Sequence, residues 1–432
     1  MRCVEQAIRN RTATAMIAAD LNILRCFAGS GIKTCITSSD PKSILFHSRY
    51  CRGKRIVANS SVNPERFITD LVELGKGYAE HPILYYNSDG TLLALSRNRE
   101  KLLPYYRFLL PPVELVEDLV DKTRFARFAT ELHLPVPRTL RPSQVQHAED
   151  VLAQMTLPCI LKPNSRHLGW HDLLLLSGEG NDPQKGLIAH TPEEFSRMYT
   201  NLRQATDQFI IQPYIPGGDD CIYSFHGYFD HHAKPLAYFV GRKIRTYPKN
   251  NGVSTYLELT KEPEVVRLSL EVLCKMNFVG AVKIDLKKDR TTGQLYMLEI
   301  NPRYTLWNQL GAACGINLAL VAYAEQTGQP IVPQTEYRTD VRWLSFGNDL
   351  RAFVRSYRPA GDLSFEQWVC SLASSKVYDV FAWDDPMPFL VSFWNYVKLV
   401  IGKRLGSYLW GPLGRPVSAV HDAKSPGKGK GK

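Results

Sequence analysis

Tyr296-Met-Leu-Glu299-Ile-Asn301-Pro-Arg303 is the stretch on which the reading of this chain turns. It is an apolar run with Glu299, Asn301 and Arg303 at alternate positions. In a strand, alternate side chains share one face. That face would present a carboxylate, an amide oxygen and a guanidinium side by side. Carboxylate and amide oxygens are the hard ligands that magnesium takes, commonly together with phosphates, and a guanidinium fork suits a phosphoryl or carboxylate oxygen. Taken alone, the segment fits a buried strand with a structural Arg–Glu pair equally well.

Asp285 shifts that balance. It lies in a second apolar, β-prone run, Ala281-Val-Lys-Ile-Asp285, and Thr291-Thr-Gly-Gln294 between the two runs is a turn signal. The pair forms a hairpin on this pattern, which sets Asp285 across from the Glu299 strand. Two carboxylates brought together repel unless a cation sits between them. Upstream lie two lysines suited to phosphate. Lys162 ends the short strand Pro158-Cys-Ile-Leu-Lys162 and precedes a polar loop, Asn164 to Trp170, while Lys122 opens a stretch of helical period. The loop after Lys162 does not match a Walker A sequence. Between these pieces, Phe209-Ile-Ile-Gln212-Pro213-Tyr214-Ile215-Pro-Gly-Gly-Asp-Asp220 runs from an apolar strand into a turn, as a hinge between lobes would.

In this order the motifs resemble the ATP-grasp superfamily, and within it the carboxylate–amine ligase group that includes D-aspartate ligase. The resemblance covers roughly residues 15 to 330, and Glu-x-Asn-Pro-Arg is its most specific motif. It implies an α/β and α+β architecture: a Rossmann-like pre-ATP-grasp domain over 1–112, an ATP-grasp domain over 113–330 with lobes at about 113–207 and 208–330, a C-terminal extension over 331–412 and a basic tail over 413–432. It further implies that Lys122 and Lys162 bind ATP phosphates, that Gln212, Pro213, Tyr214 and Ile215 hold adenine, and that Asp220 bonds ribose. Asp285, Glu299 and Asn301 match its magnesium ligands (two ions, with manganese an alternative), and Arg303 matches the arginine facing the reacting phosphate. There are departures. Relatives often carry an acidic residue where this chain has Gln212, proline at 213 has no N–H to give, and the loop after Lys162 offers Arg166 and His167 rather than glycines.

Related ligases also carry a Gly-Arg-Lys segment at the active site, here Gly241-Arg242-Lys243. Strict alternation sends Lys243 and Arg245 to one strand face and Arg242 to the other, so these three are candidates for holding the substrate carboxylate or the γ-phosphate; a solvated basic edge strand is the competing reading. The reaction implied is two-step. A carboxylate attacks the γ-phosphate to give an acyl phosphate, and an amine then displaces phosphate. A phosphotransferase that stops at the phosphorylated product, and a non-catalytic nucleotide-binding protein at a membrane, are the alternatives.

The whole chain is consistent with such an enzyme. At 432 residues and 44% hydrophobic it suits two or three domains with real cores. Nine cysteines without a Cys-x-x-Cys pair fit free thiols in a reducing cytoplasm. Residues 1–12 are read as an ordinary terminus rather than a targeting segment. The formal charge of +11 suits anionic ligands, but no aromatic-plus-basic nucleic-acid motif accompanies it. The expected partners are small carboxylate and amine substrates, with a dimer plausible. Phe389 to Trp410 is apolar and aromatic but is interrupted by Lys398, Lys403 and Arg404, so it does not span a bilayer. It either packs on the body, the favoured reading, or lies on a membrane surface. Thr14–Ala19, Leu21–Ala28 and Thr34–Thr37 read as strand, helix and parallel strand. His47-Ser-Arg-Tyr-Cys51 is read as a surface loop, and Asp384-Asp385-Pro386 has no assigned role.

Overall fold

The computed structural model describes residues 12–145, 147–164, 186–250 and 252–409, with side chains to 398. Residues 165–185, which include Arg166 and His167, and the basic tail lie outside the described residues.

The chain opens with β1 (Ala15–Ala18), β2 (Thr34–Ser38), β3 (Gly53–Ile56) and β4 (Ile83–Tyr86), a parallel sheet in the order β3-β2-β1-β4. All four residues of β4 are buried, the signature of a strand covered on both faces. The β1–β2 connection is the helix Leu21–Leu24, whose N-terminus Asp20 caps by accepting from the N–H groups of Asn22 and Ile23. Ser88 likewise caps the helix Asp89–Arg97, accepting from the Thr91 N–H, which fixes Asp89 at its first position.

A small lobe follows, built on β5 (Cys159–Pro163), β6 (Leu187–Ala189) and β7 (Phe209–Pro213), antiparallel in the order β6-β5-β7. Because β7 pairs with β5 over its whole length, the lobe boundary expected at 207/208 falls after Pro213 instead. The large lobe is a seven-stranded sheet in the order β12-β11-β8-β9-β10-β13-β14. Its strands are β8 (Ile222–Phe229), β9 (Pro235–Tyr247), β10 (Val253–Leu259), β11 (Gly280–Lys288), β12 (Leu295–Asn301), β13 (Val341–Leu344) and β14 (Ser375–Tyr378). One face buries Phe225, Val240, Val282 and Ile284 against the helix Pro263–Lys275. The other is turned toward the first domain through the helices Asn308–Ala313 and Leu318–Gln326.

Residues 331–412, read from sequence as an extension, supply β13 and β14 and so lengthen the main sheet. They also reach back to the first domain. Asp385 accepts from Ser48 Oγ (2.8 Å), the Arg49 N–H (2.8 Å) and Arg25 Nε (3.3 Å), and Asp384 takes the Tyr50 hydroxyl. The unassigned Asp-Asp-Pro segment and the Ser48–Tyr50 loop are therefore the two halves of one clamp. The helix Met387–Leu409 begins beside it, packed near the turn Ile44–His47. No helix among the described residues is long and apolar enough to cross a membrane.

Candidate functional site

The expected hairpin is β11–β12, and its register sets Asp285 directly opposite Glu299 and Lys283 opposite Asn301. Four polar side chains thus form a square on the cleft face of the sheet. Asn301 Nδ2 donates to Glu299 Oε1 (3.1 Å). Asp285, 5% exposed, accepts from Ser224 Oγ on β8 and from Lys283 Nζ (2.6 Å). Lys283 lies beside the ring of Trp307, 5.9 Å from its centroid. Trp307 can lie there because β9 carries Gly241 at the contact, where a Cβ would come within 2.4 Å of the ring. Across the sheet from Lys283, His226 stacks between Phe239 and Trp307 at 4.8 and 5.2 Å. Burial, and then Lys283, hold the His226 pKa well below the usual imidazole value, so it is neutral.

The phosphate-type lysines converge on the same place. Asp121 caps the helix Lys122–Glu131 through the N–H groups of Thr123 and Arg124, and Lys122 Nζ donates to the Pro163 carbonyl (2.9 Å). Lys162 donates to Gln212 Oε1 (3.2 Å), and Gln212 Nε2 donates to Thr139 Oγ1 (2.9 Å). Burial, followed by the charge of Lys122, lowers the Lys162 pKa to about 8, against the pull of Glu299. A cavity of about 110 Å³ between the lobes is lined by Lys122, Lys162, Gln212, Lys243, Asp285 and Glu299. A second, of about 1300 Å³, opens between the first domain and β12 and shares Lys122, Phe125 and Glu299 with it. Its wall includes Asp89, Glu65, Arg97, Glu100 and Lys101.

Arg303 stands at the seam between domains. Its guanidinium is engaged on every nitrogen: Nε with Asp89, Nη1 with the Asn87 carbonyl (3.0 Å) and Nη2 with Asn301 Oδ1 (3.3 Å). It is 7% exposed, a bracket between the first domain and the Asn301 amide rather than a fork open to solvent.

Two expectations for the basic strand need correction. Opposite β9, β10 places Leu257 against Lys243 and its neighbour Tyr256 against Arg245. One residue of β9, Ile244, is extra, a bulge. Adjacent partners point to opposite faces, so Lys243 and Arg245 do too. Lys243 lines the inter-lobe cavity. Arg245 is locked on the far side, paired with Asp349 (2.8 Å) and stacked on Tyr256 (4.5 Å). Arg242 also faces away and pairs with Glu258. Of the three, only Lys243 is brought to the site.

At the hinge, the Tyr214 N–H is used by the Pro158 carbonyl (2.9 Å), Ile215 is buried, and Pro213 ends β7. Asp220 lies outside the inter-lobe cavity, in an exposed ion pair with Arg290 (2.6 Å). Sequence reading passed over Lys283, Ser224 and Asp89. The signal for Lys283 was present, since it sits two residues from Asp285 and alternation puts both on one face. Ser224 and Asp89 carry none, because only the tertiary fold brings them in. Among the described residues no three His, Cys, Asp or Glu side chains gather as a metal cluster; the set here is two carboxylates and an amide. These oxygens fit a hard cation, and the Lys283 ammonium at Asp285 already places a positive charge among them.

No family model matches the chain. It is similar to the D-aspartate ligase of Enterococcus faecium (strain Aus0004), 24% identical over 279 residues, covering 62% of this chain and 61% of that protein. Among solved structures, it shares its fold with N5-carboxyaminoimidazole synthetase from Staphylococcus aureus (TM-score 0.57, 12% identity, 76% of this chain and 80% of that one). A second likeness is the biotin carboxylase domain of the Hydrogenobacter thermophilus 2-oxoglutarate carboxylase, in complex with MgADP, ADP and bicarbonate (TM-score 0.57, 15% identity, 77% and 74% of the chains). The fold expected from the motifs, a Rossmann-like domain followed by a two-lobed ATP-grasp domain, is the fold observed.

Proposed function

We propose that this ATP-grasp chain is an ATP-dependent carboxylate–amine ligase that works through an acyl phosphate. The observation that carries the reading is the meeting of two cavities at Glu299 and Lys122, one between the lobes and one against the first domain. A ligase needs that layout, because the nucleotide and the carboxylate must approach one point from separate sides. The likeness to D-aspartate ligase and to nucleotide-bound carboxylase domains supports it.

In this reading Lys122, Lys162 and Lys243 take the phosphates. Gln212 serves mainly to aim Lys162, with its own amide pinned by Thr139. Of Pro213, Tyr214 and Ile215, Pro213 has no N–H and that of Tyr214 is committed to the Pro158 carbonyl, which leaves Ile215 to meet adenine. Asp285, Glu299 and Asn301 would hold magnesium, which when bound screens phosphate charge during phosphoryl transfer. Arg303 holds the Asn301 amide in the ligand row; with its other nitrogens committed to Asp89 and the Asn87 carbonyl, it acts on the reacting groups by positioning that amide. The cavity of about 1300 Å³ takes the carboxylate and amine.

The test is a matched ADP and phosphate assay over pairs of carboxylates and amines, with hydroxylamine as a trap. Phosphate release that needs both partners, and a hydroxamate when hydroxylamine replaces the amine, is the expected result. A stable phosphorylated product formed without any amine would overturn the ligase reading.

A further inference from the structure

The helix Met387–Leu409 starts beside the Asp385 clamp and then presents large apolar side chains to solvent. Phe389, Leu390, Phe393, Trp394 and Tyr396 are between 39% and 64% exposed, and Trp383 just ahead of the helix is 88% exposed. They form one surface. Ring contacts run from Trp383 through Phe381 to Phe389 and on to Phe393, at 4.8, 5.5 and 6.3 Å. Helical spacing sets Phe389, Leu390, Phe393, Trp394 and Val397 on one side and Ser392, Asn395 and Lys398 on the other. A contiguous exposed apolar surface marks a place of interaction, unlike apolar residues scattered singly. Packing on the body, the expectation for this segment, accounts for its start but not for this face.

Charge decides what fits there. From Pro386 to His421 the chain carries Lys398, Lys403, Arg404 and Arg415 and not one Asp or Glu. A second copy of this chain docked through the same face, as in a two-fold dimer, would set these cations against one another. An anionic bilayer surface suits both halves of the feature. The aromatic and aliphatic face enters the boundary between headgroups and acyl chains, and the lysines and arginines meet anionic headgroups. Lys398 stands near the middle of the 23-residue helix and opposes a crossing orientation, while Trp394 and Tyr396 are residue types favoured at the membrane–water boundary. We propose that this helix lies in the plane of an anionic membrane surface and docks the enzyme there. The clamp of Asp385 on Ser48 and Arg49 ties the start of the helix to the first domain, so docking holds the body of the enzyme close to the lipid. The proposal is independent of the ligase reading.

The full-length protein is sedimented with vesicles of phosphatidylcholine alone and of phosphatidylcholine mixed with phosphatidylglycerol. Binding to the mixed vesicles is expected to be tighter than to the neutral ones by about tenfold or more, the scale set by a few cations at an anionic surface, and to weaken as salt is raised. The double variant Phe393→Ser with Trp394→Ser changes exposed residues that line neither cavity. It is expected to lose binding by about tenfold or more, with melting temperature and ATP turnover unchanged. Lys398→Glu is expected to weaken binding to the mixed vesicles and to leave binding to the neutral ones as it was. Failure of the wild type to bind mixed vesicles overturns the proposal, and so does equal binding by the double variant. A wild-type dimer that the double variant splits in sedimentation equilibrium, with no vesicle binding by either, overturns it too and assigns the face to a second copy.

Discussion

Asp285 and Asp385 are built from nearly the same parts and do different work. Each is buried, each accepts from a serine hydroxyl, and each meets a cation. Asp385 is closed on itself. Arg25 faces it and donates onward to the Val380 carbonyl (2.6 Å). Asp285 has Glu299 directly across the hairpin, and both border a cavity. A buried acid paired one to one is a structural joint. A buried acid with a second acid at its side, and space in front, has the layout the proposed metal site requires. The question left open by Glu-x-Asn-Pro-Arg, metal wall or salt bridge, turns on neighbours rather than on residue type.

The contrast can be broken experimentally, most severely at the clamp. Arg25→Met leaves Asp385 charged and unpaired in the interior. It should cost about 3–5 kcal/mol of stability, seen as a lower denaturant midpoint, with ATP turnover per folded molecule retained. If stability is unaffected, the clamp is not a structural joint. Glu299→Gln should do the reverse. The melting temperature should change little, because the repulsion from Asp285 that is removed is offset by the lost pull on Lys162, while turnover falls by about 10²–10³-fold, the loss typical of one missing transition-state contact. Wild-type turnover in that variant would remove Glu299 from the site.

A smaller and reversible effect comes from Lys162. Its pKa is lowered to about 8 in the fold, against 10.5 for a free lysine, by burial and then by Lys122. The charged form is the one the fold tolerates poorly. This group therefore detracts from stability below pH 8, and the penalty lifts as pH rises from about 8 toward 10.5. Phosphate binding follows the opposite course, because it needs the charge. The value of kcat/KM for ATP should fall about tenfold per pH unit above that pKa, and Lys162→Arg should push the fall to higher pH. The smallest effect is predicted at Arg242. Its pair with Glu258 is more than a third exposed on the arginine side, so Arg242→Ala should change stability by no more than about 1 kcal/mol and leave the KM for every substrate unaltered.

The sequence was legible where chemistry and chain order coincide. Alternation in 296–303 and the turn at 291–294 were enough to set Glu299 against Asp285, because a hairpin is local and its register follows from the side-chain period. The helix start at Lys122 and the strand end at Lys162 were legible for the same reason. What escaped was distant. Ser48 and Asp385 are 337 residues apart, and Arg303 and Asp89 are 214 apart; neither acid announces its partner. The lobe boundary slipped because β7 is apolar enough to suit either sheet, and only its pairing with β5 decides. The direction of Arg245 was lost to a bulge at Ile244, a residue with no glycine or proline to signal an irregular strand.

That bulge also changes what counts as a mutation in this strand. Ile244 matters for its presence more than for its identity: conservative replacement should pass unnoticed, whereas deleting it would carry everything on one side of the gap through the sheet, sending either Lys243 out of the cleft or Arg245 away from Asp349. In descendants of this chain, function on β9 is therefore recorded in the number of residues as well as in their kind. An alignment that slides a gap across this point would equate a lysine that faces the inter-lobe cleft with an arginine that holds the C-terminal helices.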